Sequence, residues 1–370
     1  MKKWIALFSA ISICLCFAGC GNKQAAVPES QPQPEPMPEV AQDAPVVGIC
    51  LPEETPYWQA GAQSLLRALA ELGFRGDVCF ARDSALQCQQ LKKLIEEKAA
   101  CLVVAAVDSL ALSQELEQAR EAGIPVVAYD RLLMDTEAVD GYISFDYRGI
   151  GVLLGEYIVS SKNLETALQE DRSYTIEFLM GAVEDNSALL IHGGLLSVLQ
   201  PYLDSGVLIC HSGRVSFEDT YISREAQQAA QDRLKQILGQ YYTKEAPLDI
   251  CCAATDTLAV GCIAALEEWG AKDCWPLVTG SGGTADAVKR IIAGTQSMTV
   301  YQDFQELADA CAGVVQAFSA GEQPVFGDTE SLDNHMIAVP AIICSSKVVD
   351  ATNYEKLLVQ TGVYNQKQLS

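Results

Sequence analysis

Short apolar runs in this chain end abruptly in groups that can do chemistry. VVAY is followed by Asp130 and Arg131, YISF by Asp146, ICCAA by Thr255 and Asp256, and MTVY by Gln302 and Asp303. Asp108 and Ser281 also follow apolar runs. Charged residues are seldom fully buried unless paired. An acid beside a base can form an ion pair that fixes the junction of strand and loop. It can also turn strong donors and acceptors toward a bound molecule. On residue types alone, both readings of Asp130 and Arg131 stay open. Asp146, Asn186 and Asp256 each adjoin an expected helix, so each has capping as an alternative, and for Asp256 capping is the better reading.

Other chemistries find less support. GSGGTA, residues 280 to 285, fits G-x-G-x-x-A between a strand and a helix, with Asp303 near the distance of a ribose acid. That pattern would place a phosphate at a helix start. It stands late in the chain and alone, so a nucleotide-using enzyme is the weakest reading. His192, His211 and His335 lack metal-ligand spacing, and no G-x-S-x-G elbow occurs. The expectation is a non-enzyme with no metal and no cofactor. A formal charge of −23 argues against nucleic acid, whose phosphates call for clustered Lys and Arg.

These polar groups need elements to hold them. From Val46 the pattern alternates: VVGICLP, DVCFAR, CLVVAAV, VVAYD and YISFD read as strands with amphipathic helices between the first four. The second half repeats it, with TIEFLMG, VLICHSG, DICCAAT, PLVTG and MTVYQ. Apolar strands alternating with helices imply βαβ units, parallel sheets and helices on both faces. Two such runs imply two α/β lobes. In open parallel sheets, ligands bind beyond the carboxyl ends of the strands, which is where the polar groups gather.

The N-terminus reads as an export signal. Lys2 and Lys3 precede an apolar run, Trp4 to Ala18, too short to span a membrane. LCFAGC ends it and resembles a bacterial lipobox, which would put a lipid on Cys20. Residues 21 to 45 hold six prolines and four acids and read as a tether. The expected arrangement is therefore a signal peptide over 1–19, an anchor and tether over 20–45, and a body from 46. Fourteen cysteines in an exported chain would suggest disulfides. Yet most lie in apolar strands and no CxxC occurs, so mostly free, buried thiols are expected.

The body resembles the type I periplasmic sugar-binding proteins of ABC importers, closest to xylose-binding and multiple-sugar-binding proteins. The stretches that carry the resemblance are VVAYDRL, YISFD, FLMGAVEDNSA, LQPYLDSG, DICCAATDTLAVGCIAAL and IIAGTQSMTVY. It implies two Rossmann-like lobes joined by three crossovers. The first would comprise 46–146 and 298–322, the second 147–297 and 323–370. It implies a monosaccharide ligand and an ABC permease as partner, or else a membrane kinase or chemoreceptor if the chain is a sensor. It also implies a monomer held to the membrane only by its lipid. By position the ligand shell would comprise Asp130, Arg131, Asp146 and Asn186, with Trp58 and Phe217 as aromatic faces; Trp58 also fits a core position. The chain departs from the family at four places: Tyr57 for Arg, Thr255 for Asn, Gly282 for an acid and Gln302 for Lys. Tyr57, Thr255, Asp256 and Gln302 still fall where ligand contacts are expected, with an altered set of hydroxyl partners.

Overall fold

A computed structural model describes residues 37–183, 185–223 and 226–370. Cys20 and most of the tether lie outside them. The first half runs β1 (Val46–Pro52), α1 (Pro56–Glu71), β2 (Arg75–Ala81), α2 (Ser84–Glu96), β3 (Cys101–Val104), α3 (Ser113–Glu121), β4 (Val126–Tyr129) and β5 (Gly141–Phe145). β3, β4 and β5 are buried throughout, as strands covered by helices on both faces must be. α1 opens with Pro56 in its first turn, and the Thr55 hydroxyl accepts from the Trp58 N–H. Asp83 caps α2 in the same way.

The second half runs α4 (Tyr147–Lys162), α5 (Leu164–Gln169), β6 (Tyr174–Leu179), α6 (Asn186–Asp204), β7 (Leu208–Ile209), α7 (Phe217–Thr220), α8 (Gln227–Tyr241), β8 (Ile250–Ala253), α9 (Asp256–Trp269), β9 (Leu277–Val278), β10 (Ser281–Gly282), α10 (Ala285–Ile292) and β11 (Met298–Gln302). Then come α11 (Phe304–Ser319), β12 (Ala341–Cys344) and β13 (Ser346–Asp350). α4 and α6 pack at glycine-sized distance: a Cβ on Gly151 would lie 2.0 Å from the Ile191 carbonyl oxygen, and one on Gly194 2.0 Å from that of Arg148.

Three sheets result, in the orders β12-β5-β4-β3-β1-β2, β7-β6-β8-β9 and β10-β11-β13. The two smaller sheets adjoin, because the Val300 N–H donates to Gly280 and the Ser297 N–H to Val278. Every named strand pairing is parallel except β11 with β13.

Two expected lobe boundaries are corrected. β11 pairs in the second half, so residues 298–302 do not belong to the first. β12 extends the first sheet beside β5, and the segment before it is bound there too. The Asn334 amide, fully buried, donates to the carbonyls of Leu133 and Thr136. The chain thus changes halves at three places, around Asp146, Asp303 and Ser345. The eleven cysteines among the described residues are free, and seven of them are buried.

Candidate functional site

The turn after β4 is built to present one carboxylate. Asp130 adopts φ +66°, a left-handed conformation in which Asp is better tolerated than most residues. Its N–H donates to the Ile143 carbonyl at 2.8 Å. Its own carbonyl accepts from the Tyr142 and Ser144 hydroxyls at 3.1 and 3.0 Å. The side chain is thereby aimed at α1 and the start of α4. The Tyr57 hydroxyl donates to Oδ2 at 3.0 Å, and the Tyr147 hydroxyl donates to Oδ1. The two phenol oxygens lie 3.4 Å apart. The Gln302 amide donates to the Tyr57 oxygen at 3.3 Å.

Burial pushes the Asp130 carboxyl up to about 6; Asp185 adds to this, while Tyr147, Arg131 and Tyr57 oppose it. The Tyr57 phenol is pushed well above its usual range by burial and then by the Asp130 charge. Arg131 points the other way. Its Nη2 pairs with Asp185 Oδ2 at 2.8 Å, its Nη1 donates to the Ala106 carbonyl at 3.0 Å, and its Cζ stands 5.2 Å from the centre of the Trp58 ring, within cation–π range. Asp185 precedes α6 in the second half, so this ion pair joins the two halves. Phe304 packs edge-on against Tyr57 at 4.7 Å, and Phe145 lies 6.0 Å beyond it.

Of the expected residues, the structure therefore gathers Tyr57, Trp58, Asp130, Arg131 and Gln302. Asp146 stands apart: it is exposed and caps α4 by accepting from the Gly149 N–H at 2.8 Å. Asn186 opens α6 half-buried, one residue from the ion pair, and makes no side-chain hydrogen bond among the described residues. The cap of α6 is Asp185, which accepts from the Ser187 N–H and hydroxyl. Phe217 opens α7 and is buried beside His192 and Tyr221.

Capping of α9 is corrected as well. Thr255 holds that position, and Asp256 is a buried strut. Its Oδ1 accepts from the Gln296 amide at 2.7 Å, and its Oδ2 from the Gly283 N–H at 2.8 Å and the Thr299 hydroxyl at 3.0 Å. These donors tie α9 to the three-stranded sheet. They also occupy the glycine-rich loop: the donor that would hold a phosphate is bonded to an internal carboxylate. A carboxylate against the Gly283 N–H disfavours a phosphate there and counts against the nucleotide reading of GSGGTA.

Asp185, Tyr147 and Phe304 were missed from the sequence. Asp185 and Tyr147 each sit beside a residue that was chosen, just past a strand, which is the signal that could have found them.

Two α/β halves, joined by three crossovers and bridged by a polar cluster at the strand ends, define a periplasmic binding protein of type I. The model of the periplasmic binding protein domain matches residues 47–323, and the chain belongs to that family. It is 34% identical to the multiple sugar-binding periplasmic receptor ChvE of Rhizobium radiobacter, over 90% of this chain and 94% of the relative. It is 28% identical to the D-xylose-binding periplasmic protein of Escherichia coli, over 84% and 88%. Among solved structures, an ABC transporter solute-binding protein of Clostridium phytofermentans with bound β-D-glucose is 35% identical, with a TM-score of 0.84, covering 88% of this chain and all of the other.

Proposed function

We propose that this protein captures a monosaccharide between its two halves and delivers it to an ABC permease, while a lipid on Cys20 holds it at the outer face of the membrane. The observation that carries the reading is the cluster of Tyr57, Asp130, Arg131, Asp185 and Gln302. Its members come from both halves and meet at the carboxyl ends of the strands, where open parallel sheets bind ligands. A sugar hydroxyl both donates and accepts, so phenols, an amide and an ion pair can fix its orientation. Phe304, half-buried, supplies apolar ring surface beside them, suited to the C–H face of a sugar. Rotation of the halves about three crossovers gives the hinge closure that periplasmic binding proteins exemplify in general accounts. The relatives that bind several sugars, xylose or glucose support the ligand class.

A thermal-shift screen against pentoses, hexoses, sugar acids and nucleotides tests this. A ligand that binds only the folded state adds about 2.7 kcal/mol at a hundredfold excess over its Kd. A shift with one sugar that disappears in Asp130→Ala is the expected result; no shift with any sugar refutes the reading. Cys20→Ala should release the protein into the soluble fraction if the lipid is its anchor. The Rhizobium relative is a receptor, which keeps sensing as a second reading. Stimulation of a partner permease's ATPase activity by the sugar-loaded protein separates delivery from sensing.

A further inference from the structure

Cys50 and Cys79 are in-register partners on the parallel strands β1 and β2. Residues paired in this way point to the same face of a sheet, and adjacent strands lie about 4.8 Å apart. A disulfide accepts Cα separations of roughly 4.4 to 6.8 Å, so the backbone already holds the pair within reach of a bond. The two thiols share a hydrogen bond, and the Gln90 amide oxygen of α2 lies 3.5 Å from the Cys50 sulfur. Cys50 is fully buried, whereas Cys79 is half-buried. β2 ends its sheet, so among the described residues no further strand covers Cys79. We propose that Cys50 and Cys79 form a thiol–disulfide exchange site, which reduces a low-mass organic disulfide and closes a bridge between β1 and β2. The assignment is independent of sugar binding.

Access and hydrogen bonding divide the roles. Cys50 donates to Cys79 and so holds the Cys79 thiol below its usual pKa; Lys93 adds to this, against burial and Asp77. The thiolate is the attacking species. Cys79 attacks one sulfur of the reagent, the reagent's S–S bond breaks, and one thiolate leaves with the electron pair. Cys79 is then in a mixed disulfide. Cys50 gives its proton to that thiolate, and its sulfur attacks Cys79. The second half of the reagent leaves with its electron pair and takes up the proton that Cys79 had released. The protein loses two protons and two electrons, and the reagent gains them as two thiols. Contact alone would not suffice. Cys251 on β8 and Cys262 on α9 also share a hydrogen bond, but both are fully buried, and a reagent arriving from solvent does not reach them.

The whole protein, folded in mixtures of reduced and oxidised glutathione at fixed ratios, is quenched with acid, alkylated after unfolding and mapped by mass spectrometry. The expected result is a linked Cys50–Cys79 peptide that grows with the oxidised fraction and returns to free thiols with dithiothreitol. It should form at least about tenfold faster than any product of Cys251 or Cys262. In Cys50→Ser the second step is lost, and Cys79 should retain one glutathione. Cys79→Ser should leave Cys50 reduced, and it carries the test should Cys50→Ser fail to fold. A Cys79–glutathione adduct that persists in wild type without a bridge, a bridge from Cys79 to Cys88, no product at Cys79, or equal rates at Cys251 and Cys262 overturns the proposal.

Discussion

Asp256 should make the protein more stable in mild acid, against the usual behaviour of a folded-state carboxylate. It is 5% exposed, and burial pushes it from 3.8 up to about 6, although Gln296, Arg290, Thr299 and Gly283 all favour its charged form. The folded state thus holds its proton more tightly than the unfolded chain does. A group of this kind contributes stability that is complete below 3.8 and is lost as pH rises through about 6. The full difference is about 3 kcal/mol. Between pH 7 and pH 5 the linkage relation gives a gain on the order of 1 kcal/mol. The exposed carboxylates pushed the other way, Asp83 and Asp328, start from 3.8, so their effect falls below this window.

The assay is urea unfolding of wild type and Asp256→Asn at half-unit steps from pH 7 to pH 5. The variant is always neutral at this position, so the difference between the curves isolates one group. Relief of repulsion among the many other acids is common to both chains and cancels. Asparagine also turns an amide N–H₂ toward a donor on one side, which lowers absolute stability but leaves the slope intact. Wild type should gain on the variant by on the order of 1 kcal/mol as the pH falls. A flat difference, or one that grows with pH, would show that the three hydrogen bonds outweigh desolvation and that the reasoning is wrong. Thr299→Val removes one donor to the charged form and should move the midpoint upward.

Three further outcomes follow from particular contacts. Asp185→Ala removes one partner of an ion pair with little solvent around it and should cost about 3 kcal/mol in denaturant unfolding; a loss below about 1 kcal/mol would mean that the pair is screened like a surface one. Gly194→Ala puts a Cβ 2.0 Å from the Arg148 carbonyl oxygen, so α4 and α6 must separate at a cost of about 3 kcal/mol or more, read as a lower Tm. Cys79 is half-buried, and its hydrogen bond with Cys50 lowers its pKa, while burial pushes Cys252 up to about 12; native alkylation followed by peptide mapping should label Cys79 well before Cys252.

Ten of the strands were legible because each lies in a short, mostly apolar run. Their partners were not. AIIC, residues 341 to 344, announces a strand but does not say that it lies beside β5, some 200 residues earlier. MTVYQ likewise gives no sign of which half it joins. Pairing over such separations is fixed by where the chain crosses between halves, and local pattern carries no record of that. The site divides along the same line. The strand-end positions of Asp130, Arg131 and Gln302 were visible in sequence, since they depend on local alternation alone. The bond between Tyr57 and Asp130 spans 73 residues, so Tyr57 could be placed on α1 but not given its partner. The caps failed by a single residue. Asp185 and Asn186, or Thr255 and Asp256, are each competent to cap, and the choice depends on where the helix begins in three dimensions.

The two raised acids show why the same perturbation has different meanings. Asp130 and Asp256 are both buried, both hydrogen-bonded and both pushed to about 6 by the same cause. Perturbed acidity alone would nominate both as functional. Their donors tell them apart. Gly283, Gln296 and Thr299 all belong to the second half, and they would move with Asp256 as one body in any hinge rotation. Asp130 takes one donor from α1 in its own half and the other from Tyr147, the first residue of α4, just past a crossover. Its neighbour Arg131 reaches Asp185 across the same divide. Rotation of one half on the other would therefore leave every partner of Asp256 in place while altering those of Asp130 and Arg131. Only the second arrangement can couple closure to what fills the space between the halves, and that favours Asp256 as part of the frame and Asp130 as part of the proposed site.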